Sequence, residues 1–231
     1  MKVDFVIIGG GCYGAYFVKQ LAAARSRGKL DWSNAIVLDR DAACLVSRGD
    51  TQGVVVETTE WEEWGQQLGA RRAMLEGAQL VPAPIAPHIM KHWLGSALAE
   101  QGARITDLAY SGPVPALPYA MVLDRGTLVL SHAPGMCPTN CIEPRKCPLT
   151  KDTRDWDMPD TVTELIDAGG MDALEVFTCR HFAYGVGTIG FSAIYDAYDR
   201  VGSWPDGTRL GIATVSGCHG LVDVSQVVRE S

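Results

Sequence analysis

Three cysteines lie within eleven residues, in the segment Cys137-Pro-Thr-Asn-Cys141-Ile-Glu-Pro-Arg-Lys-Cys147. Their spacing is C-x3-C-x5-C, and the proline-rich loop that carries them has no long apolar run with which to build a core. Thiolates that converge on a metal would hold such a loop together, because the free energy of metal binding then becomes free energy of folding. We therefore predict that Cys137, Cys141 and Cys147 bind an iron–sulfur cluster or, alternatively, structural zinc, since thiolates favour both. The remaining alternative is an ordinary loop of free thiols.

A fourth metal ligand has to come from another part of the chain. Cys179 follows the apolar run 174–178 and is the predicted fourth ligand. Cys218 follows the run 209–215 and is a rival, as are the histidines His132, His181 and His219. If both runs are parallel strands, Cys179 and Cys218 lie at the same carboxyl edge of a sheet.

A second pattern with chemical potential is the glycine segment after residue 8. Gly9, Gly11 and Gly14 form a G-x-G-x-x-G pattern between an apolar run and a helical pattern. In such a turn the first glycine permits the tight bend, the second lets the backbone approach a pyrophosphate, and the third lets helix and strand pack closely. Asp39 lies 28 positions after Gly11 at the end of the next apolar run, and is the predicted partner of a ribose hydroxyl. We predict NAD(H) binding ahead of FAD, while Arg40 could accept the 2′-phosphate of NADP.

These residues carry a family resemblance. Residues 3–39 resemble the N-terminal half of the Rossmann NAD(P)- and FAD-binding superfamily, and the run Ile-Ile-Gly-Gly-Gly is similar to the opening of flavoprotein oxidoreductases. The resemblance implies a mode of nucleotide binding rather than a particular reaction.

A further candidate segment begins directly after Cys179. Two glycines, Gly185 and Gly187, separate a predicted strand from a predicted helix, as in a second anion-binding turn. There His181 could move a proton and Tyr184 could stack on a ligand, which makes both candidate catalytic residues. The alternative is a connection in which the glycines serve backbone geometry alone.

Alternating patterns indicate the elements that position these groups. Strands are predicted at 3–8, 35–38, 54–56, 80–81, 104–110, 119–123, 127–131, 174–178 and 209–215, and helices at 12–27, 60–68, 88–100, 159–168 and 188–201. We expect an α/β fold with a doubly wound, mainly parallel sheet, a Rossmann-like N-terminal half and a cysteine-rich loop insertion. One domain is expected over 1–231, with an irregular sub-lobe at 102–158. The glycine turn, the cysteine loop, Cys179 and Cys218 would then share one crevice.

Composition limits the classes of function. With 20 Lys and Arg against 27 Asp and Glu, the net charge is −7 and the basic residues are scattered, so we expect no nucleic-acid partner. No apolar run approaches the roughly 18 residues of a membrane span, so we expect no membrane insertion. No secretory signal is visible and the seven cysteines are an odd number, which favours a reducing cytoplasm.

Together the patterns predict a cytoplasmic nucleotide-binding redox protein, an electron-transfer subunit that works with a redox partner protein or a larger complex. A zinc-stapled NAD-binding sensor or regulatory domain without catalysis, similar to the nucleotide-sensing domains of potassium transporters, is the first alternative. The second alternative is a small-molecule NAD(P)-dependent dehydrogenase whose acid is His181 or Tyr184.

Overall fold

The computed structural model describes residues 2–82, 87–123, 126–135, 137–138 and 141–230. The chain divides into two compact units, Met1–Pro84 with Arg180–Tyr195, and Ile85–Cys179 with Asp196–Ser231. Every helix in the described ranges is too short or too polar to cross a membrane.

The strands are β1 (Phe5–Ile8), β2 (Ala35–Asp39), β3 (Val54–Thr58), β4 (Gln79–Val81), β5 (Ala103–Asp107), β6 (Tyr119–Val122), β7 (Leu128–Ser131), β8 (Ala173–Thr178), β9 (Arg180–Ala183), β10 (Val186–Gly190), β11 (Arg209–Val215) and β12 (His219–Arg229). The α-helices are α1 (Cys12–Ser26), α2 (Trp61–Gly65), α3 (Leu68–Leu75), α4 (Pro87–Ala99), α5 (Met158–Thr163), α6 (Leu165–Gly169) and α7 (Phe191–Arg200).

The first unit contains a six-stranded sheet in the order β3-β2-β1-β4-β10-β9. β1 is parallel to β2 and β4, and β2 is parallel to β3, whereas β10 is antiparallel to both β4 and β9. All four residues of β1 are buried, as its continuous apolar sequence requires. Phe5 and Ile7 of β1 pack with Val18 and Leu21 of α1 in the core of this unit.

The second unit contains a sheet in the order β6-β7-β12-β11-β8, with β5 also paired to β12. The long strand β12 organises it, because β11 pairs along one side while β7 and β5 pair with its two ends. β8 and β11 are parallel, and the other strand pairs described in this sheet are antiparallel. Leu128, Leu130, Met158 and Val222 are among the core residues of this unit.

The mixed α/β class is confirmed, but the expected single, mainly parallel sheet is replaced by two sheets. The expected crevice therefore loses its basis, because the glycine turn follows a strand of the first sheet while Cys179 and Cys218 follow strands of the second. The physical reason is that an apolar run shows that a segment is buried as a strand without showing which strands it pairs with.

The segment after Cys179 also differs from its prediction. β9 and β10 form an antiparallel hairpin, and α7 begins at Phe191 instead of residue 188. Tyr184 and Gly185 form the hairpin turn, with φ angles of 51° and 81°. Two consecutive positive φ angles are typical of a two-residue type I′ turn. Gly185 thus closes the hairpin and Gly187 lies within β10, so the expected strand-to-helix anion-binding turn is wrong.

Candidate functional site

One edge of the second sheet gathers the segments that carry cysteines. Ser131, the last residue of β7, pairs with His219 at the start of β12, and Val215 at the end of β11 pairs with Thr178 at the end of β8. Because β11 and β12 are joined by a short turn, the ends of β7, β8 and β11 lie at this same edge. The cysteine loop, Cys179 and Cys218 all emerge there, as the sequence predicted for this part of the crevice.

Within the loop, backbone N–H groups are directed at two sulfurs. The N–H of Glu143 donates to Sγ of Cys141 at 3.4 Å. At Cys147, the N–H of Thr150 lowers the pKa of the thiol, with a further contribution from the N–H of Leu149, and these outweigh the opposing effect of burial. Donors that point at a sulfur favour its thiolate form, which is the form that binds metals.

Two side-chain donors contact the sulfur of Cys218. Nε1–H of Trp156 lies 3.4 Å from Sγ, and Nη1 of Arg154 lies 3.7 Å from it. Burial raises the pKa of the Cys218 thiol, while these two donors act in the opposite direction. Both donors come from the segment that follows the cysteine loop. This segment therefore contacts the turn before β12 through the sulfur of Cys218.

Cys137 is held next to a histidine. Nε2 of His219 lies 3.2 Å from Sγ of Cys137, and Nδ1 lies 3.0 Å from Oγ of Ser131. The Ser131 hydroxyl also donates to the carbonyl oxygen of Ala133 at 2.9 Å, so it accepts the proton of Nδ1 and leaves the lone pair of Nε2 for Cys137. Burial lowers the pKa of His219, which favours this neutral imidazole.

Other thiols contribute to the electrostatics of Cys137. Burial raises the pKa of Cys137 to about 11, followed by the charges of Cys141, Cys218 and Cys147. Cys179 has different surroundings: its N–H donates to the carbonyl of Val215 at 2.6 Å, and burial followed by the charge of Glu143 raises its pKa to about 12.

The described side chains do not form a finished single-ion site. Within residues 2–82, 87–123, 126–135, 137–138 and 141–230, no group of three or more His, Cys, Asp and Glu side chains is arranged to hold a metal ion. Binding a metal would therefore require the sulfurs to turn toward one another.

The glycine turn of the first unit has the backbone geometry predicted for it. Gly9 has a φ of +84°, and a Cβ on Gly14 would lie 1.8 Å from the carbonyl oxygen of Gly9. Gly14 is therefore required for α1 to pack against the end of β1. Gly11 precedes α1, and a Cβ there would find no atom within 4 Å beyond its chain neighbours.

Asp39 is engaged by the turn itself. Its Oδ2 accepts the N–H of Gly10 at 2.6 Å, and its Oδ1 accepts the N–H of Asp41 at 2.8 Å. The carboxylate therefore fixes the turn, and each oxygen retains a second lone pair with which it could accept a ribose hydroxyl.

The two candidate catalytic residues lie on the β9–β10 hairpin. Nε2 of His181 accepts the N–H of Gly185 at 2.9 Å, which ties the imidazole to the hairpin turn. The guanidinium of Arg27 lies over the Tyr184 ring, 5.5 Å from its centroid. These contacts give both side chains structural partners, and their catalytic role stays a prediction.

Sequence reasoning missed three residues of the cysteine site. They are Glu143, Arg154 and Trp156, to which the sequence patterns above assign no role. Their importance depends on contacts with Cys218, which lies more than sixty positions away. Spacing along the chain contains no signal for such contacts.

Comparisons with known proteins identify one relationship. No curated protein and no solved structure matches the chain significantly. One family model matches residues 87–228, a range that includes α4, the cysteine loop and nearly all of β12. The chain belongs to this family, AF_1314_C, whose model is described as "Uncharacterized protein, C-terminal domain".

Proposed function

We propose that this chain is a redox protein that holds an iron–sulfur cluster on Cys137, Cys141, Cys147 and Cys218. The observation that carries the proposal is that donors converge on the sulfurs: the N–H of Glu143 on Cys141, and Trp156 and Arg154 on Cys218. Hydrogen bonds to cysteine sulfurs stabilise thiolates and are one of the means by which proteins set cluster potentials.

Cys218 replaces Cys179 as the proposed fourth ligand. After burial, the charges of Cys141, Cys218 and Cys147, followed by that of Glu143, raise the pKa of Cys137, so Cys218 acts on this thiol together with the two other loop cysteines. Among the described residues, none donates a side-chain hydrogen bond to Sγ of Cys179, whereas Trp156 and Arg154 both contact Sγ of Cys218.

We further propose that the first unit binds a dinucleotide at the turn Gly9–Gly14, with NAD(H) preferred to FAD. The parallel strands β3-β2-β1 follow the order of a Rossmann mononucleotide-binding half, with the glycine turn at the carboxyl end of β1 and β4 parallel to β1 on its other side. The open space at Gly11, at the N-terminus of α1, is suited to a pyrophosphate. NAD(H) and an iron–sulfur cluster are both redox carriers, which supports an electron-transfer subunit that works with a redox partner protein.

Anaerobic purification tests the cluster. We expect a brown protein with iron and inorganic sulfide, visible charge-transfer absorption, and an electron paramagnetic resonance signal after reduction by dithionite. Cys141→Ser should lose most of the iron, whereas Cys12→Ser, a matched change at an exposed cysteine of the first unit, should retain it.

Other outcomes point to the alternatives. A colourless protein with stoichiometric zinc would contradict the cluster and support a zinc-stapled NAD-binding domain, since thiolates also favour zinc. Oxidation of NADH by small carbonyl compounds, abolished by His181→Ala, would instead support a dehydrogenase.

A further inference from the structure

We propose that Glu143 is the positioning residue that holds Cys218 in place beside the cysteine loop. The inference rests on the proposed metal site and adds the contact that joins its two parts, the loop and the turn 216–218. It depends on what the backbone and the side chain of Glu143 each contact.

The carboxylate of Glu143 accepts hydrogen bonds from two consecutive backbone N–H groups. Its Oε2 accepts the N–H of Gly217 at 2.9 Å, and its Oε1 accepts the N–H of Cys218 at 3.1 Å. Arg154 completes the arrangement, because its Nη1 lies 3.4 Å from Oε2 of Glu143 and 3.7 Å from Sγ of Cys218. One carboxylate therefore fixes the peptide groups that lead into Cys218, and its ion-pair partner contacts the sulfur.

The backbone N–H of Glu143 makes a separate contact within the cysteine loop. Its N–H is the donor to Sγ of Cys141, so a single residue contacts both a loop cysteine and the turn that carries Cys218. Its φ is +51°, in the left-handed region that non-glycine residues rarely adopt. Such a conformation persists only where the surrounding contacts fix it, which fits a residue held from both sides.

Gly217 shows how closely the two parts approach. A Cβ at this position would lie 2.8 Å from Oε2 of Glu143 and 2.9 Å from Nη1 of Arg154. The carbonyl of Gly217 accepts the N–H of Met158, which anchors the turn on its other side. Hydrogen bonds therefore hold the turn to Glu143 of the loop on one side and to Met158, at the start of α5, on the other.

Charge and position predict opposite effects of Glu143 on metal binding. A negative charge beside cysteine sulfurs disfavours their thiolate forms, whereas the hydrogen bonds of its carboxylate fix the turn that carries Cys218. If Glu143 acted through charge alone, removing the charge would strengthen metal binding. If it acts by positioning Cys218, removing its hydrogen bonds weakens metal binding.

The first test uses Co²⁺ as a probe of the reduced, metal-free full chain. Thiolate-to-cobalt charge-transfer absorption per bound cobalt reports the number of thiolate ligands. In Glu143→Gln we expect loss of about a quarter of that absorption, because one of four ligands is lost, and an affinity weakened about tenfold or more. Glu164→Gln, at an exposed carboxylate between α5 and α6, should behave as wild type. Unchanged or tighter binding by Glu143→Gln would overturn the inference.

The second test needs no metal. Hydrogen exchange of the Gly217 amide in the metal-free chain should accelerate about tenfold or more in Glu143→Gln, because one carboxylate oxygen is replaced by an amide donor. The Cys218 amide should accelerate less, because its N–H also donates to Oγ of Ser216 at 3.3 Å. Exchange in β11 and β12 should stay unchanged. Wild-type protein that neither binds cobalt through thiolates nor takes up an iron–sulfur cluster on anaerobic reconstitution would refute the metal site. Unchanged exchange at these two amides would refute the positioning role whether or not the metal site stands.

Discussion

Two alanine substitutions in the glycine turn separate binding of a nucleotide from maintenance of the fold. A Cβ on Gly11 meets no atom within 4 Å beyond its chain neighbours, whereas a Cβ on Gly14 would lie 1.8 Å from the carbonyl oxygen of Gly9. The added methyl group therefore meets open space at position 11 and clashes with the backbone at position 14. Gly11→Ala should reduce ligand affinity with the fold intact, and Gly14→Ala should destabilise the fold.

The magnitudes follow from these distances. For Gly14→Ala, α1 must move away from the end of β1, and overpacking of this kind costs about 1–3 kcal/mol in the free energy of unfolding. For Gly11→Ala, φ is −74° and compatible with alanine, so we expect a change within about 0.5 kcal/mol. A methyl group between the backbone and a pyrophosphate should weaken binding by more than tenfold, which corresponds to at least about 1.4 kcal/mol.

Calorimetric titration of NADH, NADPH and FAD, with urea unfolding of each variant, provides the measurements. Gly135→Ala is the matched control, because a Cβ there also meets open space and the residue lies in the second unit. If Gly11→Ala binds whichever nucleotide the wild type binds with unchanged affinity, the turn is not the binding site. If Gly11→Ala lowers stability as much as Gly14→Ala, the open space at Gly11 is contradicted.

Three further outcomes are expected. Cys218→Ser should lower the metal content measured by elemental analysis, while Cys179→Ser should leave it unchanged; the reverse result would restore Cys179 as the ligand. In the metal-free chain, iodoacetamide should label the exposed Cys12 well before Cys179, whose pKa burial raises to about 12, and peptide mass spectrometry would reveal the opposite order. Leu94→Ala, at a residue of α4 that is 1% exposed, should lower the free energy of unfolding by about 2–5 kcal/mol, and a loss below about 1 kcal/mol would contradict its placement in the core.

The sequence determined those parts of the fold that rest on local patterns. The strand at 3–8, the glycine turn and the helix at 12–27 correspond closely to β1 and α1, and Asp39 ends β2 as predicted. A continuous apolar run, a glycine that permits a positive φ and helical periodicity are each properties of neighbouring residues. The three loop cysteines could be recognised for the same reason, since their spacing is itself a local pattern.

Tertiary structure decided which strands share a sheet and which residues complete the cysteine site. β12 was absent from the sequence prediction because Asp223 and Ser225, both buried, interrupt its apolar pattern. Asp223 is buried beside Thr127 and Lys91, which supply a hydrogen bond and an ion pair that only the folded chain provides. β12 in turn places Cys218 at the edge where the cysteine loop emerges, and Glu143 contacts it across more than seventy positions of sequence. Contacts at that separation depend on sheet pairing and register, which no local pattern of residues encodes.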